Sequence, residues 1–376
     1  MKSVFALLTL LYMFSLAHGQ SDTDKTYDLL VGTYTKPGQS QGIYVYTFDT
    51  ETGDFSEKTV ATGIKNPSFL TVSQDRKHVY AVSEVGEGQG SVSAYAFNPS
   101  TGKLDFLNST PSGGDAPCYV SVDDENRYVF VGNYSGGSLS AIPVEADGSL
   151  GADIQTIRHE GSSIHKNQTA PHVHATVLSK DGDYLYVPDL GTDKINIYQV
   201  DVTKSAPLTP AQPAFVSVEA GSGPRHLTLH PRGPWGYAIQ ELTGLITVFD
   251  EQDGTLTAQQ TVAMPAPGFE GAIDAADIHI SPDGNFLYGS LRGDINELVI
   301  YSINDQGRLT YVGRQSTMGK TPRNFAIDPT GNFLLVGNSG SNQIVIFKRD
   351  QKTGLLTPTN KKIAVGDPVC LKFVAL

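Results

Sequence analysis

The strongest constraint on how this chain folds is a unit of about fifty residues that occurs six times. NPSFLTVSQDRKHVYAVSE begins at Asn66, APCYVSVDDENRYVFVGNY at Ala116, and APHVHATVLSKDGDYLYVPDL at Ala170. GPRHLTLHPRGPWGYAIQE follows at Gly223, AADIHISPDGNFLYGSLR at Ala275, and TPRNFAIDPTGNFLLVGNS at Thr321. Each reads as an alternating strand, a tight polar turn and a second, apolar strand. A third strand with a Gly-containing turn comes next, as in LITVFDEQDGTL and ELVIYSINDQGRL, and a fourth completes the unit. Pro67, Pro117, Pro171, Pro224 and Pro322 open the units, and Ala275 takes the remaining slot. Four short antiparallel strands at this period predict the blades of an all-β propeller.

The two ends set the blade count. DPVCLKFVAL at the C-terminus matches only the first strand of the unit, with Pro368 in the proline slot. YDLLVGTY and GIYVYTFDTETGDF near the start match the second and third strands. One blade is therefore expected to join the C-terminal strand to N-terminal ones, giving a seven-bladed β-propeller with four antiparallel strands per blade. Closing the ring this way protects strand edges that would otherwise pair with other chains.

Ahead of the repeat, MKSVFALLTLLYMFSLAHGQ carries one lysine, an apolar run and Ala17-His18-Gly19. That layout reads as a secretory signal peptide over residues 1–19, followed by a single propeller domain over residues 20–376. The run is short for a membrane span, so an exported protein, periplasmic or extracellular, is expected rather than an anchored one. Asn108, Asn133 and Asn167 begin glycosylation sequons that matter only in a host that glycosylates exported proteins. The chain holds 39 acidic against 27 basic residues, a formal charge of −12, which argues against nucleic acid as a partner. Cys118 and Cys370 are the only cysteines. They allow one bridge or two buried thiols, so stability must come from the core.

In a propeller blade the connections alternate between two faces. One face receives the stereotyped turns SPDGN, DPTGN, SKDGD and NPSTGKL, together with His78 and His230, which are expected to be solvated. The other receives the residues after each proline and after each second strand, and these converge on one mouth of the central channel. Pro171-His172-Val173-His174, Pro224-Arg225-His226 and Pro322-Arg323-Asn324 come from the first set; Tyr34, Asn133-Tyr134, Asp189, Gln240-Glu241 and Arg292 come from the second. His159 and His165 lie in a long segment that could cover this mouth.

Arginine binds carboxylate or phosphate in a forked geometry and can stabilise an oxyanion, and histidine or glutamate can activate water. The set therefore suits a small anionic ester. His174, His172, Arg225, Glu241 and Arg292 are the candidate catalytic residues. Arg323, His226, Tyr34, Asn133 and Asp189 are candidate substrate contacts, although His226 reads first as a structural hydrogen-bonding residue of its inner strand, and Tyr34 and Tyr134 read equally as caps of their blades. No Gly-x-Ser-x-Gly elbow occurs and no cysteine is expected beside these groups, which favours direct attack by water. A His-x-His pair on a strand could hold half a zinc site, but the arginines expected to face it would repel a metal, so neither metal nor other cofactor is expected.

The segments GTYT (32–35), NYSGGSLS (133–140), PHVHA (171–175), DLGTDKI (189–195), GPRH (223–226), QEL (240–242), SPDGNFLYGSLR (281–292) and TPRNFAIDPTGNFLLVGN (321–338) resemble those of the seven-bladed lactonase propellers, in order and over nearly the whole chain. That family includes propeller-type 6-phosphogluconolactonases and is similar to fungal carboxymuconate cyclases. The resemblance implies metal-free opening of a sugar or sugar-phosphate lactone. Its histidine would be His174, with His172 beside it, and Arg225, Glu241 and Arg292 would be its charged groups. This chain has Gln240-Glu241 where the family has Asn-Glu, and Leu291-Arg292 where it has Asn-Arg. Two other readings use the same mouth: a lactonising cyclase of a muconate-like diacid, and a propeller that binds a ligand without turning it over.

Overall fold

The computed structural model describes residues 25–36 and 39–376. The expected leader lies outside the described residues. Seven four-stranded antiparallel sheets make up the chain, each pairing its strands in order from the innermost outward. Blades 2 to 7 begin with the inner strands Leu70–Val72, Pro117–Val122, Val177–Leu178, Pro224–Leu229, Ala275–Ile280 and Pro322–Ile327. In blade 1 the inner strand is Pro368–Ala375, paired with Thr26–Thr33, and Gly42–Asp49 and Phe55–Thr62 follow. The ring is thus closed by both ends of the chain, as the half-unit at each terminus requires. Among the described residues no helix is long and apolar enough to cross a membrane.

The core lies between blades. Val79, Val129 and Ile142 pack with Leu30 and Cys370 from the closing blade, while Leu335 and Ile346 of blade 7 meet Leu29 and Leu371 on that blade's other side. In several blades a buried tyrosine on the second strand ties the blade to the next. Tyr237 donates to the Gly307 carbonyl at 2.8 Å, Tyr288 to that of Gly354 at 2.7 Å, and Tyr186 to the Glu251 carboxylate at 2.6 Å. Each hydroxyl satisfies the polar end of a side chain whose ring fills the inter-blade space. The two thiols are free and buried, so the open question of a bridge resolves to two separate core residues.

The turn face follows its sequence. Ser179 donates to Asp181 and Ser281 to Asp283, each at 2.6 Å, and the glycines that follow, Gly182 and Gly284, take φ values of 79° and 70°. In two blades Arg76 (φ 60°) and Asn126 (φ 55°) carry the same left-handed turn at some steric cost. His230 is not solvated there but only 5 % exposed. The adjacent blade's turn covers it: its Nδ1 accepts the Gly233 N–H at 2.7 Å and its Nε2–H donates to the Gly284 carbonyl at 2.9 Å.

Candidate active site at the propeller mouth

The residue after the proline slot leaves the strand ladder. Register breaks fall at Cys118, Arg225 and Arg323, between partners that pair normally on either side. Such a bulge re-aims one side chain. The residue before the slot is left-handed at Asn66, Ala116, Gly223, Thr321 and Asp367, which turns the chain into the mouth.

One blade departs from the proline slot that its sequence suggests. Val173 bridges Asp189, and the Leu190 N–H donates to the His172 carbonyl, as Glu241 N–H does to Gly223 and Arg292 N–H to Asp274. Val173, not Pro171, therefore occupies the proline slot, and His174 stands where the other blades place Arg225 and Arg323. The Asp189 carboxylate fixes this register: its Oδ1 accepts the N–H groups of His172 at 2.8 Å and of Gly191 at 3.0 Å. Gly191 is needed there, because a Cβ would lie 1.9 Å from the Ala170 carbonyl oxygen.

The first residue after each second strand forms an upper tier, with Tyr34, Glu84, Tyr134, Glu241 and Arg292. Glu241 Oε2 lies 2.8 Å from Arg225 Nε and 2.9 Å from Arg292 Nη2. Burial favours the neutral acid, but Arg292, Arg225 and Arg323 outweigh it and hold the Glu241 carboxyl below its ordinary value. Arg225 is 1 % exposed. Burial, with Arg292 and Arg323 nearby, pulls its pKa down to about 10, so it stays charged at neutral pH. Its Nη1 donates to the Ala276 carbonyl at 2.7 Å and to His226 Nε2 at 3.1 Å. The Nε atoms of Arg225 and Arg292 are buried without a properly directed hydrogen bond. Arg292 Nη2 also pairs with Asp274 at 2.5 Å.

His174 is 4 % exposed, with ring centroids 5.3 Å from His226 and 5.4 Å from Tyr134. Burial, Arg225, His226 and Arg323 hold its pKa well below 6.5, leaving a neutral imidazole. Contrary to expectation a cysteine does stand here: Cys118 Sγ is 3.8 Å from His174 Nδ1. Burial pushes its thiol upward, which withholds the thiolate that nucleophilic attack would require. His172 stacks on Tyr134 at 4.5 Å and its Nδ1–H donates to the Tyr134 carbonyl at 3.1 Å.

Below this tier His226 meets Phe69 and Tyr119 across the channel axis at 6.2 and 5.4 Å, which floors the mouth. Its Nδ1–H donates to Asp277 at 2.8 Å, and burial and Arg225 push its pKa down to about 4. Asp277 also takes His279 Nε2 at 2.9 Å and Asn324 Nδ2 at 2.5 Å. On the far side, Arg323 lies over the Tyr34 ring, 5.6 Å from its centroid, and 4.0 Å from Glu84, whose Oε2 accepts the Tyr34 hydroxyl at 2.8 Å.

The structure thus brings together His172, His174, Arg225, His226, Glu241, Arg292, Arg323 and Tyr34. Asn133 and Asp189 do not join them. Asn133 is fully buried and donates to the Ser112 carbonyl and the Ser138 hydroxyl. As the last residue of its strand it faces into its own blade, and Tyr134 after it faces the mouth. Asp189 is likewise fully buried and holds His159 Nδ1 at 2.8 Å behind the His172 segment. His159 is accordingly packed against its own blade and the next, between Asp189 and the Tyr198 hydroxyl at 3.0 Å. Sequence reading missed Glu84, Asp274 and Asp277. Glu84 was the accessible one, since it follows its second strand as Glu241 does. Among the described residues no three His, Cys, Asp or Glu side chains are grouped to hold a metal ion.

The chain thus forms a seven-bladed propeller with a buried cluster of arginine, glutamate and histidine at one mouth. Residues 28–373 match the family of seven-bladed β-propeller lactonases, and the chain belongs to that family. It is 35 % identical over 347 residues to the 6-phosphogluconolactonase of Bacillus subtilis, covering 92 % of this chain and 97 % of that one. Two solved structures superpose closely. A candidate 6-phosphogluconolactonase of Bacteroides fragilis gives a TM-score of 0.90 at 42 % identity, covering 94 % of this chain and 99 % of its own. The periplasmic gluconolactonase of Pseudomonas aeruginosa gives 0.89 at 40 % identity, covering 93 % and 99 %.

Proposed function

We propose that this lactonase opens a sugar lactone at the propeller mouth by metal-free attack of water. The observation that carries the reading is the single Glu241 oxygen shared by Arg225 and Arg292, beside the neutral imidazole of His174. Guanidinium N–H groups held this way can receive the carbonyl oxygen as it gains charge. His174 takes a proton from water as the water oxygen bonds to the carbonyl carbon. The ring C–O bond then breaks, and the imidazolium returns the proton to the leaving ring oxygen, giving the open hydroxy acid. His172, whose Nε2 takes no part in the bond to the Tyr134 carbonyl, is the neighbouring base. Glu241 serves chiefly as the counter-charge that positions the arginines, because its depressed pKa makes it a poor base. Among the described residues no third His, Cys, Asp or Glu joins His172 and His174 in a group that could hold a metal ion, which is why the reading is metal-free.

The relatives named 6-phosphogluconolactonase and gluconolactonase support this substrate class. The leader-like residues 1–19 and the periplasmic gluconolactonase together support export. The test is a lactone panel on purified protein, each lactone run against its spontaneous hydrolysis and with and without a chelator. Arg225→Ala is expected to remove turnover while the fold persists, and chelator is expected to change nothing. Full activity of Arg225→Ala on every lactone that the native protein opens sinks the assignment.

A further inference from the structure

We propose that the mouth selects uncharged aldonolactones over phosphorylated ones, and that Glu84 enforces the selection. This rests on the lactone-opening reading above and refines its substrate. The expectation of an anionic lactone set one carboxylate, Glu241, against the arginines and left out Asp274 and Glu84. Arg225 and Arg292 are committed to Glu241, and Arg292 also to Asp274. The third guanidinium, Arg323, faces Glu84. Three cations thus meet three carboxylates, and the mouth offers no surplus positive charge.

Arg323 is the one of the three arginines that stands beyond hydrogen-bond range of its carboxylate. Among the described residues its side chain makes no hydrogen bond; it lies over the Tyr34 ring and 4.0 Å from Glu84 Oε2. Glu84 in turn is held facing it by the Tyr34 hydroxyl. Both charged side chains are largely sheltered, at 20 % and 18 % exposure. A phosphate docking on Arg323 would bring a charge of about −1.5 to −2 beside a fixed carboxylate, where solvent screens poorly. A hydroxyl has no such conflict. It can accept from the guanidinium and donate to the carboxylate at once, which neither a phosphate dianion nor a carboxylate can do. A guanidinium and a carboxylate standing just beyond direct hydrogen-bond range are the two halves of a hydroxyl site.

The test compares kcat/KM for glucono-δ-lactone and its 6-phosphate in native protein and in Glu84→Gln, each corrected for spontaneous hydrolysis. Native protein is expected to favour the uncharged lactone by at least about tenfold, and Glu84→Gln to shrink that preference by about tenfold. Native preference for the phosphorylated lactone, or a ratio that Glu84→Gln leaves unmoved, overturns the proposal. If neither lactone is opened, it is the lactone-opening reading that fails. Calorimetric binding of gluconate and 6-phosphogluconate then decides the charge selection by itself. Tightening of 6-phosphogluconate relative to gluconate in Glu84→Gln supports it, and an unchanged order with 6-phosphogluconate tighter in both proteins overturns it.

Discussion

Arg225 Nε and Glu241 Oε2 lie 2.8 Å apart, and the same oxygen takes Arg292 from the next blade. One carboxylate oxygen therefore sets the separation of two guanidiniums that would otherwise repel. Glu241→Gln keeps the size and removes the charge. We expect kcat to fall by about 10²-fold, because oxyanion donors lose their fixed placement. Stability should drop by roughly 3 kcal/mol, the cost of leaving buried charge without its partner. Steady-state kinetics and urea denaturation check the two effects separately, and native kcat in this variant would show that the arginines are placed without it.

The neutral state of His174 has a consequence for the pH profile. Burial and the surrounding cations hold its pKa well below 6.5, so the active, unprotonated form persists as the pH falls through the ordinary histidine range. The acid limb of kcat/KM is expected below pH 6.5, with a plateau above it. His174→Asn should remove the plateau activity. A limb at or above pH 6.5 in native protein would assign the base to a group other than His174.

Stability should depend on pH through His226. Its pKa is pushed down from 6.5 to about 4 by burial and Arg225. Below pH 6.5 the unfolded chain binds a proton there that the folded chain does not, so stability falls as the pH drops from 6.5 toward 4. Between pH 7.5 and pH 5 this one group should cost about 2 kcal/mol. Urea midpoints of native protein and His226→Gln at the two pH values measure it. The variant starts lower, having lost the bond to Asp277, but its pH dependence should be flatter by that amount.

The repeat made the ring, the blade count and the closing blade legible, because each depends on strand order that the chain states directly. The cations of the mouth were legible for the same reason, since Arg225 and Arg323 both follow a proline. What misled was Pro171. It imitates the proline slot, yet the hydrogen bonds of Asp189 to His172 and Gly191 shift the register by two residues and put His174 there instead. Asn133 and Asp189 were misplaced because strand alternation turns the last residue of the second strand inward. Asp277 carried no local signal. Its role comes from donors on three strands, His226, His279 and Asn324, that only the folded ring assembles. The Cys118–His174 contact is also of this kind, joining an inner strand to the segment ahead of the next one, which no motif connects.

The inter-blade tyrosines extend that lesson to stability. Tyr237 is fully buried, and its hydroxyl donates to the Gly307 carbonyl in the turn of the next blade. Gly307 has φ 72°, so the turn that presents this carbonyl is itself held in a conformation few residues adopt. Tyr237→Phe keeps the ring that fills the inter-blade core and removes only the hydroxyl. The carbonyl then loses its donor in a buried place, at a cost of about 1–3 kcal/mol. The mouth lies at the opposite end of the blade from this turn, so lactone turnover at moderate temperature should match native while the urea midpoint falls. Equal midpoints would mean that solvent reaches the Gly307 carbonyl once the hydroxyl is gone. A loss of turnover at equal folded fraction would mean instead that the spacing of blades 5 and 6, and with it the Glu241–Arg292 contact across them, depends on this bond.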